Sequence, residues 1–357
     1  MRNRAYDKWK ESIALSAKQK KMPIIGQYEL TACCNLDCKM CYIHNADSNT
    51  MRAKELSTET WKRIFDEAYD MGLLFATLSG GECLIRSDFK ELYLHLWNKR
   101  VQITIFTNGT LINDDYVAFF KKYPPELVRI SLYGSSEEGY RKVTGHEGFN
   151  KAVSAIRKLM AENIPVGVSV TPSVYMKDDF INTRKFCKEN RFDCKPSNYI
   201  LANKRDNPEN ENCDLSIEEI VVLAKEEALL KGPITPALDI PEPCGICNEA
   251  PKGLACGAGS NTAVINPEGK MYPCVMLPVG NVSVLELSYA QAWEKTKQAV
   301  SEMCLGMECV GCPYDKVCPK CPAFRLTGLY TGHCNPDVCE LTQRLVAAGV
   351  KKLPKES

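Results

Sequence analysis

The sequence has little of what would direct a protein to a membrane or to nucleic acid. No stretch is apolar enough to span a bilayer, and the charged start from Met1 to Lys8 lacks the apolar segment of a secretory signal. Lysine and arginine number 45 against 44 acidic residues, so no bulk field of one sign recruits nucleic acid or an anionic membrane. These absences predict a cytoplasmic protein with no nucleic-acid or membrane partner.

Histidine is also scarce, with four in 357 residues, whereas cysteine is abundant, with 19. Disulfides are rare in the cytoplasm, and the odd count and missing signal both oppose a secreted disulfide scaffold. Metal binding is therefore the leading explanation of the cysteines. Their distribution favours the same explanation, because eleven of the 19 lie between Cys244 and Cys339.

Three other cysteines form the spacing CxxxCxxC at Cys34, Cys38 and Cys41, just after an apolar run that ends at Leu30. A short loop of this kind can place three thiolates on three irons of a 4Fe-4S cluster and leave the fourth iron open. A small molecule with an amine and a carboxylate can chelate an open iron. Taken alone, the spacing also suits a zinc site or buried structural thiols.

From Pro23 onward, apolar runs alternate with amphipathic stretches, which predicts repeated βα units around a parallel sheet. Six units give an α/β fold of the partial (β/α)6 TIM-like barrel type, open on one side. Strands are expected over residues 24–30, 73–78, 101–106, 127–132, 166–171 and 194–201. Helices are expected from Ser57 and over residues 114–122, 149–162, 179–189 and 216–230.

The character of the chain changes after residue 205, where a polar loop precedes the last of these helices and a proline-rich stretch over residues 232–243. Such a stretch is typical of a linker. The predicted domains are a lead-in over residues 1–22, the α/β core over 23–205, a helix and linker over 206–243, a cysteine-rich domain over 244–345 and a tail over 346–357.

The loops that follow the predicted strands carry short polar groups, and ligands of parallel α/β sheets bind at these carboxyl ends. Ser79-Gly80-Gly81-Glu82 follows the second strand. Its glycines permit close backbone approach, and a carboxylate beside exposed carbonyls can accept from an ammonium group. Thr107 and Asn108 follow the third strand and Ser131 ends the fourth, where their side chains suit a ribose hydroxyl or a carboxylate.

A second set of cysteines lies near the C-terminus. Residues 262–265 and 270–272 can pair as a hairpin across the turn Asn266-Pro267-Glu268-Gly269, which would bring Cys256 and Cys274 together. A dense group follows, formed by Cys309, Cys312, Cys318, Cys321 and Cys339. Paired CxxC spacings alone would suit a zinc ribbon and a zinc knuckle. The thiols, however, exceed the eight that two four-thiolate zinc sites require.

Together these motifs resemble the radical SAM enzymes that carry a C-terminal SPASM domain. The loop of Cys34, Cys38 and Cys41 resembles the family signature, whose cluster binds S-adenosylmethionine (SAM) at its open iron. The segment before Cys83 resembles the family's GGE motif, with cysteine where proline is usual. The resemblance implies SAM contacts for Gly80, Gly81, Glu82, Thr107, Asn108 and Ser131, with Lys142 in place of the usual arginine that pairs with the SAM carboxylate.

The second set of cysteines resembles the SPASM module, which holds two auxiliary 4Fe-4S clusters. The resemblance implies that Cys256, Cys274 and Cys321 hold the first, with Cys244 or Cys247 as the possible fourth ligand. It implies that Cys309, Cys312, Cys318 and Cys339 hold the second. The gap between Cys318 and Cys321 is two residues, where three is usual.

The resemblance also implies a reaction. One electron cleaves SAM to methionine and a 5′-deoxyadenosyl radical, which then abstracts hydrogen from the substrate. Relatives with this module commonly modify peptides. We therefore expect an oxidoreductase that acts in RiPP maturation, the processing of ribosomally synthesised and post-translationally modified peptides, and that installs a thioether or C–C cross-link on such a peptide. It would need an external one-electron reductant such as flavodoxin or ferredoxin. With no room for an N-terminal leader-binding domain, any leader peptide would be recognised by the core or a separate partner.

Two alternatives remain open from the sequence. A sulfatase maturase, which forms formylglycine, typically has an acidic base directly after the cysteine at position 274, where this chain has Val275. Valine cannot accept a proton. A non-catalytic iron–sulfur or zinc-binding protein would leave the loops at Gly80, Thr107 and Ser131 unexplained.

Overall fold

The structure is a computed structural model. It describes residues 4–43, 55–196, 213–236, 254, 256–277, 279–303, 311–321, 323 and 335–353. Three predicted metal ligands, Cys244, Cys247 and Cys309, lie outside the described residues, as does the end of the sixth predicted strand.

One mixed sheet organises the described residues. Its strands are β1 (Ile25–Glu29), β2 (Phe75–Ser79), β3 (Gln102–Thr107), β4 (Leu127–Ser131), β5 (Val166–Val170), β6 (Cys194–Pro196), β7 (Thr262–Ile265), β8 (Lys270–Tyr272) and β9 (Val282–Ser283). They are arranged in the order β6-β5-β4-β3-β2-β1-β7-β8-β9. The six strands predicted in the core are parallel neighbours, which confirms the α/β class and the open, unclosed barrel.

Ten α-helices are described: α1 (Arg4–Lys20), α2 (Thr58–Asp70), α3 (Phe89–Asn98), α4 (Asp114–Lys122), α5 (Glu137–Thr144), α6 (Phe149–Ala161), α7 (Lys177–Glu189), α8 (Ile217–Leu229), α9 (Tyr289–Ser301) and α10 (Pro336–Ala347). The predicted helices α2, α4, α6, α7 and α8 are confirmed within two residues. Helices α3, α5, α9 and α10 were not predicted.

Helix α2 shows why the strongly periodic segments were predictable. The Ser57 side chain accepts a hydrogen bond from the Thr60 amide and so begins the helix. Trp61 and Phe65 then face the sheet, where both pack edge-on against Tyr28 of β1. Burial of this apolar stripe between helix and sheet is the main stabilising contact of the unit.

Helix α1 is more closely attached than a lead-in segment would be. Its Ala17 packs with Ile24 and Phe75 at the amino ends of β1 and β2. Lys10 forms an ion pair with Glu126 at 2.7 Å, and the Asn261 side-chain amide donates to the Ala14 carbonyl. The helix therefore covers the amino-terminal opening of the barrel.

The cysteine-rich region joins the same sheet. Strand β7 pairs in parallel with β1, from Ile25 opposite Thr262 to Tyr28 opposite Ile265. The predicted hairpin is confirmed, because β8 pairs antiparallel with β7 across the turn at Asn266. Gly269 closes this turn with a φ of 73°, a conformation that glycine adopts without strain. The sheet is therefore continuous across the predicted linker.

No helix within the described residues is both long enough and apolar enough to cross a membrane.

Candidate active site

Four loops meet at the carboxyl edge of the sheet. The three-thiol loop follows β1, the loop from Gly80 follows β2, the loop from Asn108 follows β3, and Ser131 ends β4. Because these strands are parallel neighbours in this order, the loops converge on one side of the barrel. The tertiary structure thus brings together the loops that the sequence predicts to contact the cluster and SAM.

The loop after β2 touches the beginning of the thiol loop through backbone alone. The Gly81 amide donates to the Thr31 carbonyl at 2.8 Å, and the Glu82 amide donates to the Cys33 carbonyl at 2.8 Å. A Cβ atom on Gly80 or Gly81 would lie under 3.0 Å from these backbone oxygens. Both positions therefore require glycine, because backbone atoms cannot move aside as a flexible side chain can.

Glu82 connects this loop to the loop after β3. Its buried carboxylate accepts from the Leu84 amide at 3.0 Å, the Asn108 amide at 2.7 Å and the Thr107 hydroxyl at 2.8 Å. Burial raises the pKa of this carboxyl, and the three donors oppose that shift. A carboxylate offers about four acceptor positions, so these donors do not exhaust it. Its contact with the SAM amine remains a prediction.

Asn35 and Thr110 are site residues that the sequence reasoning missed. Asn108 donates to the Asn35 side-chain oxygen at 2.9 Å, and Asn35 donates to the Thr110 hydroxyl at 2.8 Å. The side-chain nitrogen of Asn108 also lies 3.9 Å from the Cys34 sulfur. One signal in the sequence could have indicated Asn35. It is a polar residue directly after Cys34, the first cysteine of the CxxxCxxC spacing, and so lies next to the loops that meet there.

Helix α5 holds the thiol loop from the other side. The Asp37 amide donates to the Thr144 carbonyl at 2.9 Å, and the Lys39 amide donates to the Val143 carbonyl at 3.1 Å. Lys142 is on the exposed face of this helix. Its predicted pairing with the SAM carboxylate stays a prediction.

Ser131 and Tyr133 lie beneath the thiol loop. The Ser131 side chain hydrogen-bonds the Tyr133 hydroxyl. Burial raises the pKa of Tyr133, and the neighbouring Cys38 thiol raises it further. Tyr133 therefore contributes a polar contact at the end of β4.

The three thiols of the loop influence one another. Burial raises the pKa of Cys34 to about 12, and the Cys41 thiol adds to this shift. Burial also raises the pKa of Cys38 well above its ordinary value, followed by the effects of Cys41 and Cys34. Thiolates in this loop need a cation to stabilise them, which iron would supply.

A buried hydroxyl tests whether the loop suits a cluster. Within the described residues the Tyr140 hydroxyl is buried without a hydrogen-bond partner. Burial raises its pKa, and the Cys38 thiol raises it further. A buried hydroxyl normally has a partner, and a thiolate or sulfide beside Cys38 would provide one. In the described ranges no three His, Cys, Asp or Glu side chains are arranged for a single metal ion. A 4Fe-4S cluster instead spreads its thiolates over three irons.

The described auxiliary cysteines fall into two neighbouring places. Cys274 and Cys321 border one apolar cluster around Leu277 and Val300. Cys318 and Cys321 border a second cluster between α8 and α10. Cys339 on α10 accepts from the Gln343 amide at 3.1 Å.

Three predicted ligands also share a local geometry, in which the sulfur accepts from the amide two residues later. The distances are 3.4 Å for Cys34, 3.3 Å for Cys274 and 3.4 Å for Cys318. Such amide donors stabilise thiolate charge. Cys256 is exposed, and Cys312 and Cys339 are half-buried. The assignment of these cysteines to two clusters remains a prediction.

Comparison with known families agrees with this geometry. The profile of the radical SAM superfamily matches residues 28–187, and the profile of SPASM, an iron–sulfur cluster-binding domain, matches residues 256–322. The chain therefore contains a radical SAM domain over residues 28–187 and a SPASM domain over residues 256–322. Its cofactors are therefore iron–sulfur clusters and SAM, and it is an enzyme.

Two curated proteins resemble this radical SAM chain over most of its length. The AdoMet-dependent heme synthase of Methanosarcina barkeri is 26% identical over 333 residues, which cover 86% of this chain and 94% of that protein. The antilisterial bacteriocin subtilosin biosynthesis protein AlbA of Bacillus subtilis is 24% identical over 322 residues, covering 84% of this chain and 67% of that protein.

Among solved structures, Streptococcus suis SuiB bound to its precursor peptide SuiA has a TM-score of 0.66 with 16% identity. The alignment covers 95% of this radical SAM chain and 82% of that chain. At this identity the likeness shows the shared fold.

Proposed function

We propose that this chain is a radical SAM maturase that installs a thioether or C–C cross-link on a ribosomally synthesised peptide. The observation that supports SAM chemistry is the meeting of the three-thiol loop with the loops at Gly80 and Asn108. Similarity to a bacteriocin biosynthesis protein over 84% of the chain supports a peptide as the substrate.

Cys34, Cys38 and Cys41 would hold the first cluster. When bound, that cluster supplies the electron that divides SAM into methionine and the 5′-deoxyadenosyl radical. Gly80 and Gly81 admit the ligand close to backbone, and Glu82 accepts from the SAM ammonium group. Asn108 and Ser131 orient the ribose and the carboxylate from the ends of β3 and β4. Lys142 provides a cation for the SAM carboxylate from α5.

The cysteine-rich region would hold two auxiliary clusters. Cys256, Cys274 and Cys321 belong to the first, with Cys244 or Cys247, and Cys309, Cys312, Cys318 and Cys339 belong to the second. We further propose a cytoplasmic enzyme that takes single electrons from a flavodoxin or ferredoxin. A leader peptide would dock on the core or on a separate partner, with no nucleic-acid or membrane partner.

A second candidate is a tetrapyrrole-modifying enzyme. This candidate is favoured by the similarity to the AdoMet-dependent heme synthase, which extends over 94% of that protein. Formylglycine formation is not favoured, since Val275 provides no proton acceptor beside Cys274.

Anaerobic reconstitution tests the proposed chemistry. With iron, sulfide and reductant, the protein should bind about twelve irons and convert SAM to 5′-deoxyadenosine and methionine. Replacing Cys34, Cys38 and Cys41 by alanine should abolish cleavage and remove about one third of the iron. Fully loaded protein that cleaves no SAM even with its substrate would refute the proposal.

The product decides between the two candidates. A peptide encoded by a short open reading frame beside this gene should lose two hydrogens when the enzyme turns over, as either cross-link requires. A mass change in coproporphyrin III with none in the peptide would favour the tetrapyrrole candidate. Both products are measured by mass spectrometry against a control without SAM.

A further inference from the structure

The sheet has one apolar face, covered by helices, and one face that points into the barrel. Strand alternation and register place on the inner face Gln27, Glu29, Thr77, Ser79, Thr104, Phe106, Arg129, Ser131, Ser169 and Lys195. Helix α1 covers its amino-terminal end, and the SAM loops lie at its carboxyl end. The inner face therefore lines the interior of the open barrel, below the loops predicted to bind SAM.

Charges of opposite sign lie at opposite sides of this face. On β1, the Glu29 side chain is 1% exposed and accepts from the Tyr42 hydroxyl at 2.9 Å. The cations Arg129 and Lys195 are on β4 and β6, with the small residues of β5 between them.

Both cations neighbour Ser169 in the sheet, and Lys195 is exposed. The Arg129 guanidinium lies 3.4 Å from the Ser169 hydroxyl, and Lys195 is directly opposite Ser169 in the β5–β6 register. Lys195 forms no ion pair with any residue that the structure describes. Gly167, opposite Arg129, adds no side chain to this part of the face.

An apolar surface adjoins the cations. Phe106 is 41% exposed although it belongs to the inner face of a central strand. The Arg129 guanidinium carbon lies 5.9 Å from the centre of its ring. A guanidinium binds carboxylates through two parallel hydrogen bonds, and the aromatic ring beside it suits an apolar group next to the acid.

We propose that Arg129, Ser169 and Lys195 form an anion subsite that binds a carboxylate of the substrate, with Phe106 against the adjoining apolar group. This inference rests on the proposed function, because a radical formed from SAM at the strand ends can react only with a substrate held beside it in the barrel. The carboxylate belongs either to an acidic peptide residue or to a tetrapyrrole propionate, which share this chemistry.

Arg129 is distinct from the groups predicted to hold SAM, because it precedes Ser131 by two residues on the same face and lies about 6–7 Å deeper along the strand. Ser169 is directly opposite Ser131 in the register, and Lys195 is directly opposite Ser169, so these two residues lie at the level of Ser131. The substrate carboxylate is therefore expected on Arg129, below SAM, with Ser169 and Lys195 at the upper edge of the subsite.

Binding of matched probes to the cluster-loaded, SAM-saturated protein tests the subsite. One pair is the peptide acetyl-Gly-Phe-Asp-Phe-Gly-amide and its Asn analogue; the other is coproporphyrin III and its tetramethyl ester. Isothermal titration is carried out on the wild type and on R129Q, R129K and K195Q. The control is K185Q, which removes an exposed cation on the outer face of α7. Iron content and circular dichroism verify that each variant is folded.

In at least one pair, the acid should bind the wild type and K185Q about tenfold or more tighter than its neutral partner. R129Q and K195Q should reduce this ratio to within about threefold, and R129K should be intermediate. The pair that shows the effect identifies the source of the carboxylate.

Three results would overturn the subsite: no preference for the acid in either pair, a preference unchanged in R129Q and K195Q, or a tenfold loss of SAM affinity in R129Q. The last result would assign Arg129 to SAM. Because binding is measured without turnover, a protein that prefers the acids but never cleaves SAM refutes the proposed function alone.

Discussion

At the scale of single residues, the backbone of Gly81 and Glu82 packs directly on the backbone of Thr31 and Cys33. The loops share hydrogen bonds of 2.8 Å, and no side chain intervenes. The sequence indicated glycines that would admit a ligand, whereas in the structure they also admit the thiol loop. Adding one methyl group to either glycine should therefore disturb both the binding of SAM and the position of the thiol loop.

We expect Gly81→Ala to lower the free energy of unfolding by about 1–3 kcal/mol and to reduce cluster loading. The added Cβ would meet the Cys33 carbonyl at under 3.0 Å, a contact that only backbone movement can relieve. Urea unfolding and iron analysis measure the two effects. The control is Gly167→Ala, whose Cβ finds only ordinary contacts from 3.6 Å outward. Equal iron loading in the two variants would contradict the explanation.

The thiol loop gives a pH prediction for the metal-free protein. The pKa of Cys34 in the fold, about 12, exceeds the usual thiol value, and that of Cys38 is also raised. Such groups stabilise the fold at low pH, and this contribution is lost as pH rises above about 8.5, where unfolded thiols ionise first.

Stability of the metal-free protein should therefore fall between about pH 8.5 and 10, at most by about 1.4 kcal/mol per pH unit for each thiol, because each thiol releases at most one proton. Urea midpoints across this range measure the slope. A variant with Cys34 and Cys38 changed to serine should show a shallower decline. An identical slope in both proteins would show that other groups govern the effect.

At the scale of elements, a buried ion pair joins α7 to α8. Arg184 donates to the Glu227 carboxylate at 2.8 Å and to the Cys194 carbonyl at 2.7 Å, and both side chains are about 10% exposed or less. The contact ties the helix after the polar loop to the last unit of the barrel. Removing one member would leave the other charge buried.

Glu227→Ala should lower the free energy of unfolding by about 3–5 kcal/mol, because Arg184 would remain buried without its carboxylate. Chemical unfolding followed by circular dichroism gives the value. The control is Glu218→Ala. Glu218 is on α8, like Glu227, but its ion pair with Arg344 of α10 is exposed, so its loss should change stability by less than about 1 kcal/mol. Similar losses for the two variants would mean that the buried pair does not stabilise the packing of α7 on α8.

Helices long enough to repeat their apolar pattern over several turns were predictable from the sequence, and short helices were not. Helix α5 has eight residues, too few to show a clear period, although Ser136 caps its start and Gly145 ends it with a φ of 75°. These caps were available in the sequence as signals. Helices α9 and α10 also carry local start signals, namely the capping box of Ser288 with Gln291 and the pair Asn335-Pro336.

At the scale of the whole molecule, the radical SAM core and the cysteine-rich region share one sheet. Strand β7 supplies hydrogen-bond partners to the free edge of β1, and Asn261 binds both β1 and α1. An uncovered edge of this kind promotes association of chains. The cysteine-rich region therefore also protects the core.

A fragment of residues 1–236 should aggregate, since it lacks β7 and exposes the edge of β1. Size-exclusion chromatography measures this directly. The full chain with Cys312, Cys318 and Cys339 changed to alanine keeps β7 and should stay monodisperse. A fragment that elutes as a folded, single species would show that β1 needs no neighbour on that side.

The sequence by itself determined the class of chemistry and the succession of βα units, because cysteine spacing and apolar period are local properties of the chain. Only the tertiary structure decided that Asn35 meets Asn108, that Glu82 joins two loops, and that Arg129 and Lys195 lie on the same face of the sheet beside Ser169. These contacts join residues far apart in the chain, and their geometry depends on strand register. Register follows from the packing of the whole sheet, which no local pattern contains.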